Sequence, residues 1–274
     1  MAYVTKLRES REEEIRHAQE MVRGKLPDIF RMGEFEKHLD LASRLYRFSS
    51  TNQILIGLQK PDATILNSYG GWQSIGRQVS RGEHGIKLFF HSKDGGTSTV
   101  VGFDVGQTTG KEFNSKKYDP EKTQSAVMAA TPYLLQNSET MAALKEWAKK
   151  AAGEPTGGDY FLEDLKAAAA AYIAAKHYGL EPEAVFTQPH ENLCRNVPAE
   201  DLHKFLVELR EKSKTMIEQI GTALDTIETL DMEGDKRTAG NKSPTSEKDA
   251  KVPDSIKEPD VTGLHSKENA GKHF

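Results

Sequence analysis

The sequence contains one cysteine and no long apolar run, and these shortages exclude several classes of protein. Cys194 cannot form an intrachain disulfide, and no cysteine pair is present for a zinc ribbon. No apolar run approaches the roughly 20 residues that a membrane-spanning helix needs, and the charged N-terminal segment lacks the apolar centre of a secretory signal. We therefore expect a cytoplasmic protein without a membrane partner.

The common catalytic patterns are also missing. A zincin needs two histidines four residues apart on one helix, and no histidine pair has that spacing. The nearest pattern, His190 to Cys194, predicts a loop with a small buried thiol. Gly106–Lys111 has the wrong spacing for a phosphate-binding loop, and Glu112 replaces its magnesium-binding hydroxyl. No Gly-x-Ser-x-Gly elbow is present either, so we expect no catalytic residues, no metal site and no cofactor.

Charge is distributed unevenly along the 274 residues. Residues 44–93 carry seven Lys/Arg against two acids, whereas residues 131–231 carry ten against seventeen. A polyanion would have to bind the first of these segments, because phosphate contacts come from Lys and Arg. Residues 232–274 are polar with only scattered aliphatic side chains, which predicts a disordered tail.

The spacing of apolar residues predicts an α+β fold. Two strands, Ile86–Ser92 and Thr99–Val105, flank a hairpin signal at Asp94–Gly96. The predicted helices lie at about 5–25, 34–47, from Ser49 or Ser50 to Pro61, 121–136, 139–152, 160–178 and 199–229. We expect a small helix-plus-hairpin domain at 1–118, a mostly α-helical domain at 119–231, and the tail.

Residues 45–92 interleave aromatic rings with arginines and side-chain amides. Single-stranded nucleic acid is bound by this combination, because cations follow the backbone while flat rings stack on unpaired bases. The alternative is an ordinary core, in which Trp72, Ile75 and Val79 face inward. Composition leaves both interpretations open.

Four ordered motifs within residues 35–112 are more specific. They are Phe48–Ile56 (Phe-Ser-x-x-Asn-Gln-x-Leu-Ile), Pro61–Thr64 (Pro-Asp-Ala-Thr), Trp72–Ile86 (Trp-x-x-x-Gly-Arg-x-Val-x-x-Gly-Glu-x-Gly-Ile) and Phe103–Gly110 (Phe-Asp-Val-x-Gln-Thr-x-Gly). Together they resemble the N-terminal single-stranded-DNA-binding domain of ArdC-type antirestriction proteins, and especially the LtrC-like proteins of plasmids and conjugative elements.

The resemblance implies a compact α+β module that binds single-stranded DNA with little sequence preference. It also implies that the Gly82–Gly85 turn shapes the approach of the strand, because glycine accepts positive φ. The implied DNA-facing residues are Arg44, Tyr46, Arg47, Asn52, Gln53, Trp72, Arg77, Arg81 and Lys87.

The second half resembles a zincin-type peptidase domain that has lost its metal ligands. Lys145 and Lys149 occupy the two histidine positions of the metal helix, and Ala168 occupies that of the glutamate. A protonated lysine has no lone pair and alanine has no donor atom, so zinc could not be held. An unrelated helical bundle is the alternative, since the alanine-rich run at 167–171 could equally build one. Residues 199–229 form an amphipathic helix that packs in the core or binds a protein partner.

We therefore expect a non-enzymatic, sequence-tolerant single-stranded-DNA-binding protein of a mobile element, with an antirestriction or conjugation accessory role. One alternative is an acidic helical adaptor that inhibits a DNA-processing enzyme by imitating the charge of DNA. The other is a metallopeptidase with an unrecognised site.

Overall fold

The computed structural model describes residues 2–92, 96–114, 116–131, 139–150 and 160–238. The fold is α+β, as the sequence predicts. The helices are α1 (Ala2–Ile29), α2 (Glu34–Arg44), α3 (Ser50–Gln59), α4 (Tyr69–Ser74), α5 (Pro120–Ala130), α6 (Thr140–Lys150), α7 (Tyr160–His177), α8 (Gln188–Cys194) and α9 (Ala199–Thr238). The strands are β1 (Leu66–Asn67), β2 (Arg77–Val79), β3 (Ile86–His91), β4 (Thr97–Asp104) and β5 (Thr108–Gly110).

The strands form two small antiparallel sheets. Strand β4 lies between β1 and β3, and β2 pairs with β5. In the larger sheet Lys87 pairs with Val101, and His91 pairs with Thr97. Because side chains alternate along a strand, these four residues belong to one face of the sheet. The hairpin turn predicted at Asp94–Gly96 falls largely outside the described residues.

Polar side chains of α3 bind the edge of β3 that faces away from β4. The Asn52 side chain donates to the Phe89 carbonyl and accepts from the Phe89 N–H, at 3.0 and 2.8 Å. Two helical turns later, the Gln59 side chain makes the same pair of bonds with the backbone of Lys87, at 2.9 and 2.8 Å. The two amides satisfy outward-facing groups of an edge strand that would otherwise be open to other chains.

The start of α3 is as predicted, since the Ser49 hydroxyl accepts from the Asn52 N–H at 3.3 Å. The segment from His190 to Cys194, predicted to be a loop, is instead helical in α8, which begins at a capping box between Thr187 and His190. Cys194 is buried, as expected.

The main hydrophobic core runs across residue 118, the predicted boundary between domains. Phe35 and Leu39 of α2 belong to the same buried cluster as Ile173 of α7 and Leu206 of α9. Alanines of α7 fill the centre of this cluster and allow its neighbours to approach closely. The buried ones are Ala167, Ala169, Ala170, Ala171, Ala174 and Ala175. A smaller cluster under the sheet includes Leu41, Ile56 and Ile86.

The last helix extends further than the sequence predicts, because α9 continues to Thr238 and so includes residues assigned to the tail. The remaining residues of that tail lie outside the described part of the chain. Among the helices that the structure describes, none has both the length and the apolar character that a membrane crossing needs.

Candidate nucleic-acid interface

Trp72, the expected base-stacking ring, is part of the core. Its side chain is 0% exposed, and its Nε1–H donates to the Phe103 carbonyl at 2.8 Å. The edge of Phe113 lies against the indole, with ring centroids 5.7 Å apart. A base cannot stack on a ring that has no free face, so the assignment of Trp72 to the DNA-facing set is wrong for this fold.

The two predicted amides also stabilise the protein itself. The Asn52 side chain is hydrogen-bonded to both the N–H and the carbonyl of Phe89. Gln53 is buried, and its Nε2 donates to the Leu45 carbonyl at 3.1 Å. Neither amide is directed to solvent, so the structure assigns them to the attachment of α3 rather than to a DNA-facing surface.

Two of the predicted arginines bind backbone carbonyls. Arg44 is exposed, but its guanidinium donates to the carbonyls of Ala63 and Pro61, at 3.0 and 3.2 Å. Arg77 is half-buried and donates to the hydroxyl and carbonyl oxygens of Thr108, at 2.8 and 2.9 Å. These bonds fix the loop after α3 and the small sheet, and they occupy the planar edge with which arginine would bind a phosphate.

Tyr46 and Arg47 lie together where α2 meets the helical part of the chain. The Tyr46 ring is 8% exposed, and its hydroxyl accepts from Arg47 Nε at 2.9 Å. The His177 imidazole meets that ring edge-on, with centroids 4.8 Å apart. Burial is the main cause that lowers the pKa of His177 below its usual value. These two predicted residues are therefore brought together, but in the turn between α2 and α3, against α7, rather than on the sheet.

The remaining two predicted residues, Arg81 and Lys87, are exposed. Arg81 lies on the loop that leads from β2 into β3, and Lys87 is the second residue of β3. Lys87 Nζ lies 3.5 Å from a carboxylate oxygen of Glu14 on α1. Both side chains are well exposed, so this weak ion pair leaves the Lys87 ammonium accessible to a second anion.

Lys87 belongs to a surface that we call the exposed sheet face, formed by Tyr69, Lys87, Val101 and Phe103. Tyr69 is 45% exposed and Val101 is 44% exposed. The rings of Tyr69 and Phe103 meet edge-on at a centroid distance of 6.4 Å. The face therefore combines an accessible aromatic ring, an aliphatic surface and a cation.

The Gly82–Gly85 turn supports this face in two ways. Gly82 has a φ of +90°, which is the conformation that the sequence predicts for a glycine in this turn. Gly85 leaves space for the Val101 side chain, because a Cβ at position 85 would lie 2.1 Å from Cγ1 of Val101. The loop is fixed by Gln107, whose Nε2 donates to Glu83 Oε2 and to the His84 carbonyl, at 2.9 and 2.8 Å.

Sequence reasoning missed Tyr69, Val101 and Phe103 as site residues. Tyr69 stands in the aromatic-rich segment, but its exposure depends on how α4 packs. Val101 and Phe103 share a face with Lys87 only because of the register of β3 with β4. A hairpin prediction with a defined register would have paired Lys87 with Val101. That pairing would have placed Val101 and Phe103 on the same face as Lys87.

The three positions implied for lost zinc ligands lie together in the helical part. Lys145 Nζ and Lys149 Nζ both bind the carboxylate of Asp164, at 3.1 and 2.6 Å. Ala168 lies one turn after Asp164 on α7, and it lines the same cleft of about 660 Å³ as Lys145. The hydrogen bond to Asp164 is the main cause that raises the pKa of Lys149, which keeps its ammonium protonated. Within the described ranges, no three His, Cys, Asp or Glu side chains are grouped as metal ligands would be.

Neither a scan of protein-family models nor a search of curated proteins finds a match to this chain. Crystal structures of the antirestriction protein ArdC from the R388 plasmid are similar to it, at 14% sequence identity. The metal-free structure has a TM-score of 0.41 and covers 65% of this chain and 86% of ArdC. The Mn(II)-bound structure has a TM-score of 0.40, with 67% and 97% covered. Likeness at this level does not define the family of the chain.

Proposed function

We propose that this protein binds single-stranded DNA with little sequence preference through the exposed sheet face. One observation carries the proposal: Tyr69, Phe103 and Val101 present ring and aliphatic surface to solvent beside the Lys87 ammonium. Unpaired bases stack on such rings with little regard to sequence, while cations hold the backbone. Arg81, on the loop before β3, extends the cationic surface. A duplex keeps its bases stacked inside, so it gains less from an exposed ring.

The direct test is fluorescence anisotropy of labelled single- and double-stranded oligonucleotides over a salt series. We expect tighter binding of the single strand, with affinity falling as salt rises. Tyr69→Ala should weaken single-strand binding by roughly 1–3 kcal/mol, the value of one stacked base. Tyr160→Ala is the matched control, because Tyr160 is 75% exposed but lies on α7. Equal affinity for both DNA forms, or an unchanged Tyr69→Ala protein, would contradict the proposal.

The cations are tested separately through the salt dependence. Each phosphate contact adds about 0.7 to the slope of log affinity against log salt for single strands. Lys87→Ala and Arg81→Ala should each lower the slope by roughly that amount. Lys150→Ala, an exposed lysine at the end of α6, removes the same charge and should leave the slope unchanged. An identical slope in the native protein and all three variants would show that Lys87 and Arg81 do not contact the phosphates.

We further propose that binding serves an antirestriction or DNA-transfer role of a mobile element, as the sequence motifs suggest, and that the second half performs no hydrolysis. Positions 145, 149 and 168 lie around Asp164, the arrangement expected if a metal helix had lost its ligands. The triple variant K145H/K149H/A168E tests this geometry. It should bind Zn²⁺ in calorimetry while the native protein does not, and failure to bind would favour an unrelated helical bundle.

The acidic adaptor remains the second candidate, supported by the carboxylates around that cleft. Glu139, Asp164, Glu181 and Glu183 line it together with Lys145. The test needs the full chain, because the main core is shared between the two halves. Inhibition of a restriction nuclease that persists in Tyr69→Ala but disappears in the double variant E181Q/E183Q would favour the adaptor over DNA binding.

A further inference from the structure

A cavity of about 390 Å³ lies where the β3–β4 hairpin meets three helices. We call it the hairpin-end cavity. Its walls come from α1, from the start of α3, from β3 and β4, and from the start of α9. A volume of this size lies within the range of small-molecule sites, which combine apolar walls with a few polar groups.

One wall of the hairpin-end cavity is apolar. Phe89 of β3 and Val22 and Leu26 of α1 form it, and all three side chains belong to the main core. Their positions are fixed by that packing, so the wall does not depend on a ligand for its shape. Ala199, the first residue of α9, lines the cavity with only a methyl group.

The remaining lining residues are polar and come from separate elements. The imidazole of His203 is held by Thr51, with Nε2 and Oγ1 at 3.0 Å. The imidazole of His91 is held by Thr97, with Nδ1 and Oγ1 also at 3.0 Å. Each ring keeps its second nitrogen for another partner. Arg23 adds a guanidinium from α1, and Gln19 and Glu200 complete the polar rim.

We propose that the hairpin-end cavity holds one nucleotide, with the base in the space between the apolar wall and the two imidazoles, and with the phosphate at Arg23. A nucleobase is a flat apolar ring with donors and acceptors around its edge, which suits an apolar wall bordered by imidazoles and an amide. The guanidinium supplies the cation that a phosphate needs. The Glu200 carboxylate repels a ligand whose negative charge is spread over all its sides. It can accept a hydrogen bond from an exocyclic amine of a base.

The position of the cavity connects it with the proposed DNA surface, and in this respect the inference rests on the proposed function. His91 and Thr97 lie on the same face of the sheet as Lys87 and Val101. Lys87 and His91 are four residues apart on one strand, which corresponds to about 13 Å. Phe89 lies between them on the same face, but it is only 7% exposed and packs in the main core. A strand on the exposed sheet face would therefore reach the cavity by passing over α1, whose Glu14 contacts both Lys87 and Thr99.

The test compares a labelled oligothymidylate, measured by anisotropy, with thymidine monophosphate, measured by calorimetry. Two variants probe the cavity: Arg23→Ala removes an exposed cation, and Ala199→Phe fills the space. Tyr69→Ala probes the exposed sheet face, and Lys150→Ala is the charge control. We expect both cavity variants to weaken oligonucleotide binding at least about fivefold, the lower limit for one stacked base. They should also abolish binding of the mononucleotide, which Tyr69→Ala should leave unchanged.

The possible outcomes separate the two proposals. If Tyr69→Ala weakens oligonucleotide binding while Arg23→Ala and Ala199→Phe bind both ligands normally, the cavity proposal is wrong and the proposed function stands. If no oligonucleotide binds the native protein, the proposed function is wrong. Mononucleotide binding that is lost in Ala199→Phe would then still support the cavity as a site for free nucleotides. Thermal unfolding checks that Ala199→Phe folds. Arg23→Ala changes an exposed residue, so it tests the cavity without disturbing the packing of the core.

Discussion

The region around the sheets and the helices that follow it are stabilised by different kinds of contact. In the sheet region, polar side chains reach across the chain to backbone groups, as Asn52 does to Phe89 and Arg77 does to Thr108. In the helical region, alanines of α7 allow close packing. The ion pairs of Asp164 with Lys145 and Lys149 lie at the surface, whereas the ammonium of the buried Lys166 is paired with Glu163 and Glu208. The comparison shows that amides and guanidinium groups which resemble ligand-binding residues in a sequence can be structural residues of a small sheet.

The largest decrease in the free energy of unfolding is expected for Trp72→Ala in the sheet region. The variant removes a fully buried indole and leaves the Phe103 carbonyl without its donor, so we expect a loss of about 3–5 kcal/mol of unfolding free energy. Urea denaturation monitored by circular dichroism measures it. A loss below about 1 kcal/mol would mean that the ring is exposed in solution, and Trp72 would return to the candidate DNA-binding residues.

A pH effect of about 3 kcal/mol is expected from the buried His38 of α2, a helix that packs against α7. Burial lowers the pKa of His38 to about 4. The unfolded chain takes up this proton near pH 6.5, so the stabilisation is complete above that pH and is lost as the pH falls towards 4, by about 1.4 kcal/mol per unit. His177, whose pKa burial also lowers, contributes in the same direction.

Urea titrations between pH 7 and pH 4.5 measure this dependence in the native protein and in His38→Gln. The variant should show a smaller slope because it lacks the titrating group. Parallel curves for the two proteins would show that His38 is accessible to protons in the folded state.

A loss of about 2 kcal/mol is expected for Ala174→Leu, which tests the packing of the helical region. Ala174 is 0% exposed in the core of α7, and extra methylene groups in a filled core cost roughly 1–3 kcal/mol. Ala129→Leu on the exposed side of α5 is the control and should change the stability by less than about 0.5 kcal/mol. Equal stabilities of the two variants would mean that α7 is loosely packed.

A loss of about 1–2 kcal/mol is expected for Asn52→Ala, the corresponding test of the sheet region. The variant leaves the N–H and the carbonyl of Phe89 without their partner, although Asn52 is half-buried and water can replace part of the interaction. Gln73→Ala removes an exposed amide of α4 and serves as the control. If Asn52→Ala weakens DNA binding without destabilising the protein, the structural assignment of this amide is wrong.

Much of the fold could be predicted, because its elements leave local signals. The helical spacing of Phe35 and Leu39 indicates α2, and the glycines at 95 and 96 between two apolar runs indicate the β3–β4 hairpin. Helix α8 was not predictable in the same way, because Pro189 within the segment suggests a joint, whereas proline is tolerated in the first turn of a helix.

The candidate site was less predictable, for a physical reason. The donors of Asn52 and Arg77 suit a backbone carbonyl as well as a nucleotide, and the sequence does not state which acceptor is within reach. Exposure of Tyr69 and Val101 follows from packing and strand register, which are long-range properties. Lys87 could be predicted because a lysine within a strand must place its charge in solvent.

The smallest effect is expected for Lys149→Gln in the helical region, at less than about 1 kcal/mol of unfolding free energy. The side chains of Lys149 and Asp164 are 39% and 47% exposed, so water screens their attraction and the loss should shrink further at high salt. Denaturation at low and high salt measures both values. A loss of 3 kcal/mol or more would indicate a pair removed from water, because an unpaired buried carboxylate is costly. A small loss means that position 149 tolerates substitution, and that the histidines of K145H/K149H/A168E can be introduced there without unfolding the helices that present them.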